Sequence, residues 1–155
     1  MWRGTMALRS KTYLTKSLPP MFTPLAMPRL LELAQRSAVV TVPCTCISKS
    51  LAGWEGLPVS LKESQLRKVA SLVAAEEEDL TLDEYHPNGT HYWSVDAPIA
   101  PQFFPYNRCG VWACTLCSRH FLRYAEAGAY HIEQRIRSLD PMLIVDEPFT
   151  GIGRS

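Results

Sequence analysis

The segment RCGVWACTLCSRHF, residues 108–121, places three of the chain's five cysteines within nine positions, and its reading decides the fold. Cys114-x2-Cys117 is the spacing at which a tight turn aims two thiolates at one metal ion, and structural zinc takes four tetrahedral Cys or His ligands, commonly as two such short-range pairs. Arg119 and Phe121 follow the second cysteine in the pattern of a knuckle running into a strand with a buried aromatic. A zinc ribbon opens this way, and so does a C2H2 finger. The finger fails because no histidine follows His131. The expectation is a zinc-ribbon-like knuckle with a second half-site elsewhere.

Working outward, the nearest further thiol is Cys109. Upstream, LDEYHPNGTHYW (82–93) carries Asn88-Gly89 between aromatic and β-branched residues, a strong short-range hairpin cue. A two-residue turn there sets His86 directly opposite His91 on one face, with Cβ atoms about 4.5–5.5 Å apart, and pairs Tyr85 with Tyr92 on the other. The expected ligand set is Cys109, Cys114, Cys117 and His86, whose position Pro87 stiffens, with His91 as the alternate. His120 is a further candidate, but its alternation with Phe121 points it to solvent. Cys44 and Cys46 read as small buried hydrophobes, because C-x-C is an uncommon knuckle spacing.

The remaining sequence frames this site. A chain of 155 residues, 46% hydrophobic and 20% charged, suits one globular domain with a modest core. No apolar run approaches the roughly 20 residues of a membrane-spanning helix. Residues 1–50 carry seven Lys/Arg against one acid and residues 51–155 nine against fourteen, so the second part is a poor bulk-electrostatic binder of nucleic acid. Five thiols without a secretory signal favour a reduced, cytoplasmic compartment, where clustered cysteines serve as ligands rather than disulfides.

Residues 1–26, rich in Ser, Thr, Lys and Arg and free of acids, read as a disordered or artefactual basic tail, with a targeting segment as the rival. Residues 27–50 are expected to form a peripheral helix from Pro28 to about Arg36, with Leu30, Leu31, Leu33 and Ala34 inward, and a short strand at AVVTV (38–42). Residues 51–148 form the expected zinc-ribbon-like domain, and 149–155 a disordered tail. Within the domain, Ser60 and Glu63 have capping-box spacing ahead of a helix, or of a helix running into a strand. AAEEEDL (74–80) reads as a solvated connection and the proline-rich APIAPQFFPYN (97–107) as an extended surface loop. HFLRYAEAGAYHIEQRI (120–136) reads as strand, turn, strand, and RSLDPMLIV (137–145) as a closing helical turn or last strand. The fold class is α+β: small, mostly antiparallel hairpins organised around the knuckle, with one or two short helices.

Other chemistries compete for these residues. Cys109-x4-Cys114-x2-Cys117 matches the first three ligands of a plant-type iron–sulfur ferredoxin, but no cysteine follows residue 117. Trp112 stands one residue too far from Cys114 for a thioredoxin-like dithiol. Catalytic zinc would find only Glu84 or Glu126 as a base. Arg108, Arg119 and Arg123 interleave with Trp112, Phe121 and Tyr124, which makes Arg119, Arg123 and Trp112 weak candidates for nucleic-acid or partner contact.

The run EYHPNGTHYWSVDAPIAPQFFPYNRCGVW, continuing through Cys114, Cys117 and FLRY, resembles stretches of short uncharacterised bacterial proteins with a zinc-ribbon-like Cys/His cluster. The resemblance spans roughly residues 52–147 and implies no activity. The reading is a structural-zinc protein acting as a binding or adaptor module rather than an enzyme, with a protein partner ahead of nucleic acid and no membrane partner. Alternatives are a nucleic-acid-binding ribbon and an iron–sulfur or dithiol redox protein. Trp54, Trp93, Trp112 and the 103–106 loop are either its aromatic contact surface or simply its core.

Overall fold

One strand, His120–Ala127, is buried along residues 120–124 on both of its faces, and the remaining elements are arranged around it. A computed structural model describes residues 24–73, 80–127 and 130–151. Among the described residues the chain forms one α-helix, α1 (Met27–Ala38), and five strands: β1 (Glu55–Gly56), β2 (Leu66–Ser71), β3 (Gly110–Cys114), β4 (His120–Ala127) and β5 (Ile132–Ser138). They make a single sheet in the order β1-β5-β4-β3-β2, every neighbour antiparallel. This is a small α+β fold. Among the described residues no helix is long and apolar enough to cross a membrane.

Side chains alternate across a strand, so the register assigns each residue to a face. Val111 pairs with Leu122 and Leu122 with Arg137, a row that packs with Leu30, Leu33 and Ala34 of α1 and with Trp54, Ile99 and Tyr106. Trp112 pairs with Phe121 on the opposite face, which gathers Cys46, Leu51, Leu61, Leu66, Cys114 and Ile136. The first face is the aromatic core. Trp54, 1% exposed, stacks on Tyr92 at 6.0 Å and meets Tyr124 edge-on at 5.1 Å. Arg137, 0% exposed, crosses this core without a carboxylate partner among the described residues. Its guanidinium donates to the carbonyls of Ala52 (2.9 Å), Val95 (3.1 Å) and Ala97 (2.9 Å) and to the Tyr106 hydroxyl, so three separate segments are tied to β5.

Several local expectations are corrected. AVVTV is not a strand: α1 runs to Ala38, and Val39 and Val42 lie exposed with no strand beside them, where β propensity has no pleated surface to act on. Ser60 and Glu63 cap no helix. Ser60 meets the Ser48 hydroxyl, Glu63 pairs with Arg123, and a single 3₁₀ turn (Glu63–Gln65) runs straight into β2. The 97–107 segment is not a surface loop, because Ala97, Ile99, Ala100, Tyr106 and Asn107 are buried. Residues 137–145 finish β5, then turn so that Ile144 bridges Ile99.

The Asn88-Gly89 hairpin is absent. The Gly89 amide bonds the His86 carbonyl at 3.3 Å, which makes Pro87 the second residue of the turn and Gly89 the fourth. A hairpin turn of the primed type needs positive φ at its first central residue, and Pro87 sits there with φ locked negative. No ladder follows, and Tyr85 packs on Phe103 rather than on Tyr92. Residues 1–23, 74–79, 128–129 and 152–155 lie outside the described residues, and with them most of the expected basic tail, nearly all of the acidic connection, part of the turn expected within 120–136 and most of the C-terminal tail.

Candidate metal centre

The end of β3 builds one half of the centre. Cys114 closes the strand and the chain turns at once: the Ser118 amide reaches the Cys114 carbonyl (2.9 Å) and the Cys114 amide reaches the Arg119 carbonyl (2.8 Å). Ser118 makes this possible by taking φ +73°, a left-handed conformation that costs a non-glycine residue about 1 kcal/mol or more. The Leu116 amide, thereby turned inward, donates to the Cys114 sulfur at 3.4 Å. This is the expected knuckle.

The other half comes from the segment before β1. After Pro43 the chain makes a 3₁₀ turn (Thr45–Ile47) that points Cys44 and Cys46 to the same side. Cys44 Sγ lies 3.6 Å from Cys114 Sγ, and Cys46 Sγ lies 3.5 Å from Cys117 Sγ. All four sulfurs lie within 4.8 Å of one another. Four thiolates held 2.3 Å from one ion at tetrahedral corners would lie about 3.8 Å apart. The sulfurs are well beyond the roughly 2.05 Å of a disulfide. The donor set is therefore four thiols from two short-range pairs, with the spacing of a mononuclear tetrahedral site.

Neighbouring donors converge on the sulfurs. Gln65, just ahead of β2, aims its amide nitrogen at Cys114 Sγ (3.5 Å), Cys44 Sγ (3.8 Å) and Thr45 Oγ1 (3.0 Å). Arg119 donates to Cys117 Sγ at 3.4 Å and anchors its other branch on the Val40 carbonyl at 3.1 Å. Burial raises the Cys114 thiol, but hydrogen bonds from Gln65, from the Cys117 and Leu116 amides and from Cys44 outweigh it and bring the thiol down to about 6. Burial pushes Cys46 and Cys117 up, and the sulfurs beside Cys46 push it further. The crowded thiols thus share little negative charge among themselves. A divalent cation would supply the compensating charge and displace the remaining protons.

The structure places the expected ligands as follows. Cys114 and Cys117 stand together in the cluster, but Cys44 and Cys46 complete it, so their reading as isolated hydrophobes is corrected. Cys109 is wholly buried in the aromatic core, where its thiol donates to the Pro105 carbonyl at 3.2 Å and burial raises it well above an ordinary thiol. It immediately precedes β3 and packs into the core on the face opposite the knuckle. His86 is held at 2.7 Å by Glu84 and at 2.8 Å by Thr90, and neither it nor His91 belongs to the four-thiol cluster. Without a hairpin nothing sets these imidazoles side by side. His120 is buried rather than solvent-facing, since the sheet is covered on both faces. Arg123 is buried too, with its guanidinium 4.3 Å above the Trp112 ring.

A signal for the missing pair was present. Two short-range cysteine pairs fit the four-ligand rule better than one pair borrowing a thiol and a distant imidazole. The chain is defined by this combination: a small antiparallel α+β domain clasped by a four-cysteine site. No family model matches it, and no curated protein or solved structure does either.

Proposed function

We propose that Cys44, Cys46, Cys114 and Cys117 hold a structural zinc ion, and that the domain so fastened serves as a binding or adaptor module for a protein partner. The observation that carries this reading is the four-sulfur cluster assembled from segments seventy residues apart in sequence. Four thiolates fill a tetrahedral zinc and leave no open position for substrate or water, which is the closed pattern of structural sites. Iron–sulfur clusters interpose several irons and sulfides between their thiolates, a wider spacing than this one. A single ion here would fasten the 44–56 segment over the face bearing Phe121, Leu66 and Ile136.

Trp93, 53% exposed, stands beside the exposed Val95 with Arg135 stacked 5.2 Å from its ring, and it supplies the aromatic contact of the proposed partner surface. Trp54 and Tyr106 belong to the core instead. Arg119, Arg123 and Trp112 are engaged within the chain, which weighs against the nucleic-acid reading.

The test is elemental analysis of purified protein together with thermal melts before and after chelation. The proposal expects about one zinc per chain and a large loss of stability without it. Metal-free protein with an unchanged melting temperature, or coloured protein rich in iron and sulfide, would defeat it. Trp93→Ala should abolish partner binding while leaving zinc content unchanged.

A further inference from the structure

Beside the metal centre, on the face covered by α1, lies a cleft of about 630 Å³ to whose lining Cys114 alone of the four clustered thiols contributes. Its floor is one cross-strand row: Arg67 on β2 pairs with Ala113 on β3, and Ala113 with His120 on β4. Its wall is one stripe of the helix, Arg29, Leu33 and Arg36, at the i, i+4, i+7 spacing that shares a face. Ala113 is the small residue between two large ones, so the hollow opens above it. Thr115 and Ser118 of the knuckle close one end.

Two observations point to a ligand. His120 is 8% exposed, lines the cleft, and its Nδ1 has no hydrogen-bond partner among the described residues. A buried, unpaired imidazole nitrogen costs stability unless something fills the gap. Burial lowers the His120 pKa, and the guanidiniums of Arg36, Arg29 and Arg67 around it lower it further, against a rise from the Ser118 backbone. Glu32 is the acid facing them, paired with Arg29 at 2.9 Å and Arg36 at 3.1 Å, and the Cys114 sulfur brings further negative charge to the knuckle end of the lining. Arg67 has no carboxylate partner among the described residues, so its guanidinium is the cation left to meet an anion.

We infer that this cleft is an oxyanion site for a small phosphate monoester. Guanidinium forks match phosphate oxygens two at a time, and His120 Nδ1–H adds one directed donor in the tautomer that protonates it. Leu33 and Val69 supply an apolar wall for the organic part of the ligand, and the volume lies in the range of small-molecule sites.

Calorimetric titration of the full chain as purified, with inorganic phosphate, phenyl phosphate and benzoate, tests this. The expected result is phosphate binding, phenyl phosphate at least fivefold tighter, and benzoate at least fivefold weaker than phenyl phosphate. Arg67→Gln, at an exposed position, should weaken phenyl phosphate at least tenfold with no change in melting temperature. Absence of binding to either phosphate, equal binding of benzoate, or Arg67→Gln binding like the unaltered chain would each overturn the assignment.

Discussion

The sulfur of Cys46 lies 3.5 Å from that of Cys117, seventy-one residues further along the chain. That contact joins a 3₁₀ turn outside the sheet to the turn between two central strands, and the consequences of the account radiate from it.

Gln65 is the first consequence. Its side-chain amide donates to two of the four sulfurs and to Thr45, orienting both halves of the centre at once. Gln65→Leu should lower metal affinity by about 10–100-fold, the usual effect of removing a group that orients ligands. Competition against a chelator of known affinity reads this directly. The fold itself should persist when metal is in excess.

Arg137 provides a test away from the centre. Arg137→Met should destabilise the metal-loaded protein by about 3–5 kcal/mol, because three carbonyls and the Tyr106 hydroxyl lose their donor in a dry core. Arg137→Lys should recover only part of this, since one ammonium cannot reach acceptors on three segments. Urea denaturation midpoints distinguish the three proteins.

His120 sets a pH dependence. Burial and the nearby Arg36, Arg29 and Arg67 lower its pKa below the ordinary 6.5. The unfolded chain then takes up the proton first as pH falls. Stability is full above about 6.5 and declines below it, down to the depressed folded value. Thiol protonation also weakens the metal site in acid, so the measurement is a difference. Between pH 7.5 and 5.5 in phosphate-free buffer, His120→Asn should lose less stability than the unaltered protein.

How much of this was legible in the sequence follows the range of the interactions. Cys114-x2-Cys117 was readable because a knuckle is encoded within six residues. So was the β4–β5 hairpin, whose strands are close neighbours in sequence. For Cys44 and Cys46 the short spacing is a hint of a second pair, but their partnership with the knuckle is not legible, because only the sheet's topology brings residue 46 to residue 117. Asn88-Gly89 misled because Pro87 shifts the turn by one position and removes the conformation a hairpin needs. His120 was placed in solvent on its alternation with Phe121, which holds only when one face of a sheet is wet. Here α1 covers the second face.

The most direct measurement is metal stoichiometry by elemental analysis in four proteins: unaltered, Cys46→Ser, Cys109→Ala and His86→Ala. The account predicts about one metal per chain in the unaltered protein and in both Cys109→Ala and His86→Ala, with Cys109→Ala losing about 1–2 kcal/mol of stability from its core position. It predicts loss of the metal in Cys46→Ser. Full metal content in Cys46→Ser, or loss of metal in Cys109→Ala or His86→Ala at unchanged fold, would contradict it.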